Sequence, residues 1–193
     1  MLDWLLQFDS DVLVYLNSLG SESWDGLWLF LTKQFNWIPL FLVIFYLVFK
    51  NLGWRHAILA IVMIALLITI TDQTTNLAKN YFQRFRPCNA PDIKDIIRIV
   101  KHRSSFSFFS GHASNSMASA FFLYKVLKPY FKSKWLYIIF LWPLVFAYSR
   151  IYLGLHYPLD ILSGFAWGIF TASLVLVLYR YLRGKFFTQA KQG

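Results

Sequence analysis

Between His56 and Asp72 the chain carries no charged side chain: the run reads AILAIVMIALLITIT. A stretch this apolar must lie in a bilayer or at the centre of a protein, and it does not stand alone. Similar runs occupy residues 24–49, 110–127, 134–148 and 158–179. Hydrophobic residues make up 58% of the 193 positions and aromatics 20%, against roughly 45–50% apolar in soluble domains. A spanning helix needs about 17–25 residues. The chain reads as an all-α integral membrane bundle of one domain, residues 21–185. Five spanning helices are expected, or six if the N-terminal helix also crosses. No cleavable signal is evident, since the first residues are acidic and lack a small-residue cleavage site.

Residues 1–20 read differently. Leu2, Leu5, Leu6, Asp9, Val12, Leu13, Leu16 and Leu19 share a helical period, with Asp9 the polar exception. Asp3, Asp9 and Asp11 make spanning expensive, so an amphipathic helix lying on the membrane is expected. The first span, from about Trp24 to Phe49, should be irregular near Lys33, Gln34 and Pro39. The second, from about Trp54 to Lys79, ends in the polar TDQTTNLAK, which must face protein or a water-filled cavity. Asp72 and Gln73 are expected to bond to neighbouring helices. Residues 186–193 form an expected cytoplasmic tail.

The net charge of +10 raises nucleic acid as a partner. The cations, however, sit in short segments between apolar runs, and no soluble basic domain exists to carry that role. Their distribution orients the chain instead. Lys50 and Arg55, the cluster Lys125 to Lys134, and Arg180, Arg183, Lys185 and Lys191 fall on one side, while the first 32 residues hold none. The positive-inside bias then places the carboxyl terminus in the cytoplasm. The loop at residues 80–109 breaks this pattern. Lys79, Arg84, Arg86, Lys94, Arg98, Lys101, Arg103 and also Arg150 fall on the outer side. Cations placed against the topology rule suggest an anionic substrate. Cys88 is the lone cysteine, so neither an internal disulfide nor a Cys-ligated zinc is expected.

Three segments reach that outer face by helix parity: KNYFQRFRP (79–87), FSGH (109–112) and SRIYLGLHYPLD (149–160). Arg86 and Arg150 offer planar forks for phosphate oxygens, and Lys79 a point charge. Ser110 and Gly111 stand where a helix should begin, an anion-binding position where glycine permits close approach. His156 precedes a helix opened by Pro158, and Asp160 lies within reach of its ring. One nitrogen would be held and the other left free to attack. His112 could protonate a leaving alcohol. Nothing here demands a metal or another cofactor. Each element alone has a bland reading: interfacial snorkelling for Lys79 and Arg86, an ordinary cap for Ser110, dipole compensation for Asp160. Their convergence on one face is what points to phosphoryl transfer.

The three segments resemble the signatures of the type 2 phosphatidic acid phosphatases (PAP2), a superfamily that includes vanadium haloperoxidases. The family patterns K-x6-RP, PSGH and SR-x5-H-x3-D stand here as Lys79…Arg86-Pro87, Phe109-Ser110-Gly111-His112 and Ser149-Arg150…His156…Asp160. The resemblance spans roughly residues 50–180. It implies a PAP2-type core, His156 as nucleophile through a phosphohistidine, Asp160 as its orienting partner and His112 as general acid. Lys79, Arg86, Ser110, Gly111 and Arg150 would bind phosphate without a metal. Phe109 replaces the family's proline, which implies only a local change of loop path. His102 and Arg103 are candidates for head-group contact; His56, beside Arg55, is expected to be inert.

The expected function is a lipid phosphatase of a bacterial cytoplasmic membrane, its site facing the extracytoplasmic side, with no obligate protein partner. Polyprenyl (undecaprenyl) diphosphate is the favoured substrate. Phosphatidylglycerophosphate, phosphatidic acid and lipid A phosphates are the alternatives. A vanadate-dependent haloperoxidase or a non-catalytic membrane protein are remoter readings.

Overall fold

A computed structural model describes residues 2–132 and 134–187. The expected tail at 186–193 lies, from residue 188 onward, outside the described residues. Helices α1 (Leu2–Ser18) and α2 (Glu22–Leu31) lead through a 3-10 turn, Gln34–Trp37, into α3 (Ile38–Leu52). Then come α4 (Trp54–Phe82), α5 (Gly111–Leu127), α6 (Leu141–Tyr152) and α7 (Pro158–Phe187). A 3-10 segment, Lys134–Phe140, runs into α6.

Four helical runs among the described residues are long and apolar enough to cross a bilayer: Gln34–Leu52, Trp54–Asn89, Lys134–Tyr152 and Pro158–Phe186. This corrects the expectation of five or six. The helix that does not qualify is α5. It packs against α3, α4, α6 and α7, and its Ser114, Ser116 and Ser119 are buried among protein. A helix wrapped by other helices need not be apolar enough for lipid. The first run also starts later than expected, at Gln34 rather than Trp24. Glu22 and Asp25 open α2, and the chain breaks helix before Gln34.

The axis of the bundle is the contact between α5 and α7, and two glycines set it. A Cβ at Gly164 would lie 2.7 Å from Ser110 O, and one at Gly168 would lie 2.5 Å from Ser114 O. The two backbones touch because residues 164 and 168 carry no side chain there, the small-xxx-small device of membrane helices. Around them an apolar core gathers Val48, Ala60, Leu67, Phe122, Leu123 and Tyr179.

The polar half of α4 faces protein along one side only, and Asp72, Gln73 and Asn76 are exposed, so the expected partner for Gln73 is not seen among the described residues. Thr71 and Thr75 are buried. Thr74 Oγ1 accepts a hydrogen bond from Trp167 Nε1 on α7 (2.8 Å). Asp72 accepts one from Asn115 Nδ2 on α5 (2.6 Å). Helix α1 turns Asp9, Leu13 and Asn17 into the protein, while Trp4, Leu5, Leu6 and Phe8 stay exposed. Asn17 ties down the long loop: its Nδ2 donates to Arg98 O and its Oδ1 accepts from Arg98 N (2.7 Å).

Candidate active site

The three signature segments meet at one end of the α5–α7 axis. Gln83, in the left-handed region (φ 48°), ends α4 and sends the chain back toward the bundle, so that Arg86 is buried to 1% exposure. Arg86 Nε donates to Ser105 O (2.7 Å) and Nη2 to Ser105 Oγ (3.0 Å). Its Nη1 reaches Leu155 O (2.8 Å) and His156 Nε2 (2.9 Å).

The spacing from Arg150 to His156 follows from one tight reversal. Arg150 sits in the last turn of α6. Gly154 then takes φ +73°, a conformation that side chains rarely tolerate. Its carbonyl accepts from Cys88 N (3.0 Å), and Leu155 N returns to Arg150 O (2.9 Å). The chain thus folds back on Arg150 and presents His156 just before α7, which opens with Pro158.

His156 is held at both nitrogens. Nδ1 lies 3.2 Å from Asp160 Oδ2, which also accepts from Tyr157 N (3.0 Å). Nε2 lies 2.9 Å from Arg86 Nη1. A guanidinium has donors only, and a carboxylate accepts only. The contacts therefore assign the proton to Nδ1 and a lone pair to Nε2. Burial pushes the His156 pKa well below 6.5, and the charges of Arg86, Arg150 and Lys79 push it the same way. The ring is neutral, with its lone pair at Nε2.

Ser110 caps α5: its Oγ accepts from Ala113 N (3.4 Å). Its own N–H donates to Asp160 O (2.9 Å), which locks the start of α5 to the first turn of α7. Gly111 faces Thr75 and Lys79 of α4; a Cβ there would sit 3.3 Å from Thr75 Cγ2 and 4.0 Å from Lys79 Nζ. Phe109 is buried against Trp167, ring centroids 6.1 Å apart. His112 stacks on Phe146 at 5.0 Å. It shares a cavity of about 290 Å³ with Arg150, Thr32, Lys33, Lys101 and Arg103. Arg150 donates from Nη1 to Thr32 Oγ1 (2.5 Å).

The outer cations do not act as one pool. Arg84 is taken by two carboxylates, Asp9 Oδ2 (2.7 Å) and Asp160 Oδ1 (2.9 Å), and lies 3.8 Å over the Tyr157 ring. Arg98 pairs with Asp25 (2.5 Å), and Lys94 is exposed. Lys79, Arg86, Lys101, Arg103 and Arg150 remain around the site. His102 is exposed and is not among the cavity residues.

Sequence reasoning missed three participants. Thr32 positions the Arg150 guanidinium. Asp9, 2% exposed, also accepts from Leu159 N at the start of α7 (2.8 Å). Arg84 joins Asp9 to Asp160. A lone aspartate on the apolar face of a helix was the available signal for Asp9. Among the described residues no group of three or more His, Cys, Asp or Glu side chains is placed to hold a metal ion.

An all-α membrane bundle with a cationic cradle around a buried His–Asp pair defines a class of phosphate-handling membrane enzyme. Residues 56–184 match the PAP2 superfamily, and the chain belongs to it: it is a multi-pass membrane phosphatase of that family. It is 37% identical over 169 residues to the lipid A 4'-phosphatase of Bacteroides thetaiotaomicron, covering 85% of this chain and 73% of that protein. It is 26% identical to the lipid A 4'-phosphatase of Porphyromonas gingivalis, over 95% and 78% of the two chains. The crystal structure of the PAP2-type phosphatidylglycerolphosphate phosphatase from Bacillus subtilis superposes with a TM-score of 0.69 at 22% identity, covering 95% of this chain and 88% of that one.

Proposed function

We propose that the chain hydrolyses a phosphate monoester on the head group of a lipid A-type glycolipid, through a phosphohistidine at His156. The observation that carries the chemistry is the pair of contacts on the imidazole. Asp160 holds Nδ1–H, and the Nε2 lone pair points to the arginine that would bind the phosphate. Nε2 attacks phosphorus; the P–N bond forms as the P–O bond to the lipid breaks. Burial and the Arg150 charge hold the His112 pKa well below 6.5, so its ring takes a proton from the incoming phosphate monoanion and passes it to the departing oxygen. Water then cleaves the P–N bond and releases inorganic phosphate. Lys79, Arg86, Arg150, Ser110 and the Gly111 backbone stabilise charge on the equatorial oxygens.

An apolar groove of about 460 Å³ supports a lipid substrate. Ile38, Phe41, Phe45, Ile64 and Ile68 line it, and it shares Gln34 and Phe35 with the cationic cavity. Phosphate-binding signatures do not read the rest of the molecule, so the sequence alone favoured polyprenyl diphosphate without a residue that selects it. The two lipid A 4'-phosphatases, similar over most of the chain, favour the glycolipid instead.

Purified protein in detergent with EDTA, offered lipid A, phosphatidylglycerophosphate, phosphatidic acid and undecaprenyl diphosphate, should release phosphate fastest from lipid A. His156→Ala should abolish release from all four. Preference for the diphosphate would return the reading to the polyprenyl carrier, and an active His156→Ala would refute the mechanism. The distribution of Lys and Arg supports a site on the extracytoplasmic side. A Lys94→Cys variant should then react with a membrane-impermeant maleimide in intact cells.

A further inference from the structure

The cavity in front of Arg150 holds more positive charge than one phosphate requires. The family signatures already supply Lys79, Arg86 and Arg150. Lys33, Lys101 and Arg103 line the same cavity as Arg150 and His112, and no carboxylate does. Of the other outer cations, Arg84 has Asp9 and Asp160 and Arg98 has Asp25, while Lys94 is exposed and outside the cavity lining. Lys101 has the opposite surroundings. Partial burial lowers its ammonium pKa, and the neighbouring Arg150, Arg103 and Lys33 charges lower it further.

Backbone contacts fix the chain at two of these three positions. Arg103 O accepts from Asn89 Nδ2 (2.7 Å). Lys33 follows Thr32, whose hydroxyl accepts from Arg150 (2.5 Å), and its own carbonyl accepts from Asn36 N (3.1 Å). Arg150 is buried, whereas Lys33, Lys101 and Arg103 are exposed. Charge therefore runs from the phosphate cradle outward to the cavity mouth. Like charges held together repel unless an anion joins them.

We propose that Lys33, Lys101 and Arg103 form a second anion subsite, and that the substrate carries a second anionic group besides the scissile phosphate. This rests on the phosphatase chemistry of the proposed function and not on its choice of glycolipid. The second anion can be the neighbouring phosphoryl group of a diphosphate or a separate phosphate or carboxylate further along the head group.

Calorimetric titration of the purified protein separates these cases without needing turnover. The probes are methylphosphonate, methylenediphosphonate with adjacent anions, and 1,4-butanediphosphonate with separated ones. At least one diphosphonate should bind about tenfold more tightly than methylphosphonate, the gain expected of one added charge-assisted contact. In the Lys33→Gln/Lys101→Gln double variant that ratio should fall toward one. Tightest binding of the methylene compound assigns the subsite to a diphosphate; tightest binding of the butane compound assigns it to a separated anion. Equal affinity of all three probes for the wild type overturns the proposal. So does an equal loss for all three in the variant, which would reveal only a diffuse attraction to anions. Arg103→Gln gives an independent repeat should the double variant not be obtained folded. Absence of phosphate release from every lipid in the panel would refute the proposed function, while leaving the titration readable.

Discussion

A guanidinium cannot accept a hydrogen bond, and that constraint sets the state of His156. With Arg86 at Nε2 and Asp160 at Nδ1, the ring presents its lone pair to the cradle, and its protonation is disfavoured. Because the His156 pKa is pushed well below 6.5, the neutral form that the proposed attack needs persists below the ordinary histidine range. The acid limb of kcat/KM, which reports the free enzyme, is therefore expected below pH 6.5; a limb at or above 7 would show that another group controls the nucleophile. Asp160→Asn replaces a pure acceptor with an amide that can donate to Nδ1 and shift the proton to Nε2. A loss in kcat of about ten-thousandfold is expected, by analogy with other His–Asp pairs. Thr32 acts on a smaller scale. Thr32→Val keeps the shape but removes the oxygen that receives Arg150 Nη1. Arg150 Nε already has no hydrogen-bond partner, so this fork has little else to hold it. A fall of about tenfold in kcat/KM is expected, consistent with one lost hydrogen bond to a charged group of about 1.5 kcal/mol.

At the scale of elements, the site depends on how closely α5 and α7 approach. Ser110 N–H bonds Asp160 O only because the helices touch at Gly164 and Gly168. Gly168→Ala would put a methyl 2.5 Å from Ser114 O and force the helices apart, moving Ser110 and His112 away from His156. Loss of activity of a hundredfold or more is expected, with a lower melting temperature. Gly184→Ala on the same helix meets nothing within 4 Å and should leave both unchanged. Helix α1 is coupled to the site through Arg84. Arg84→Gln would leave the buried carboxylates of Asp9 and Asp160 without their shared cation, and breaking a buried pair costs about 3–5 kcal/mol. Denaturant unfolding in detergent should show that loss, and Asp9→Asn added to Arg84→Gln should recover part of it. The signature residues were legible in sequence because their spacings are local: Arg150 to His156 is one turn about Gly154, and His156 to Asp160 is one turn of helix. Asp9 and Arg84 were not, because their contact joins residues 75 apart and neither sits in a recurring pattern. For α5 the apolar count misled. Residues 110–127 look like a span by length, but their serines belong to a helix enclosed by protein.

At the scale of the whole molecule, four apolar runs surround a less apolar helix, and the site sits where that helix begins. This arrangement lets a water-soluble head group and an insoluble tail reach one place. The cationic cavity opens beside Gln34 and Phe35, and the apolar groove begins at the same two residues. From there it passes between α3 and α4, past Phe41, Phe45, Ile64 and Ile68. Ile68 is 37% exposed, so a larger side chain fits there without disturbing the core, yet it stands in the groove. If the tail lies in this groove, Ile68→Trp should reduce kcat/KM for a long-chain lipid phosphate about tenfold more than for a short, soluble phosphate ester, since several buried methylene contacts at about 0.8 kcal/mol each would be displaced. The comparison isolates the tail, because both substrates use the same cradle and nucleophile. An equal fall for the two esters would mean that the substitution disturbs the cradle itself. No change for either would place the tail on another face of the bundle, leaving the His156 chemistry intact.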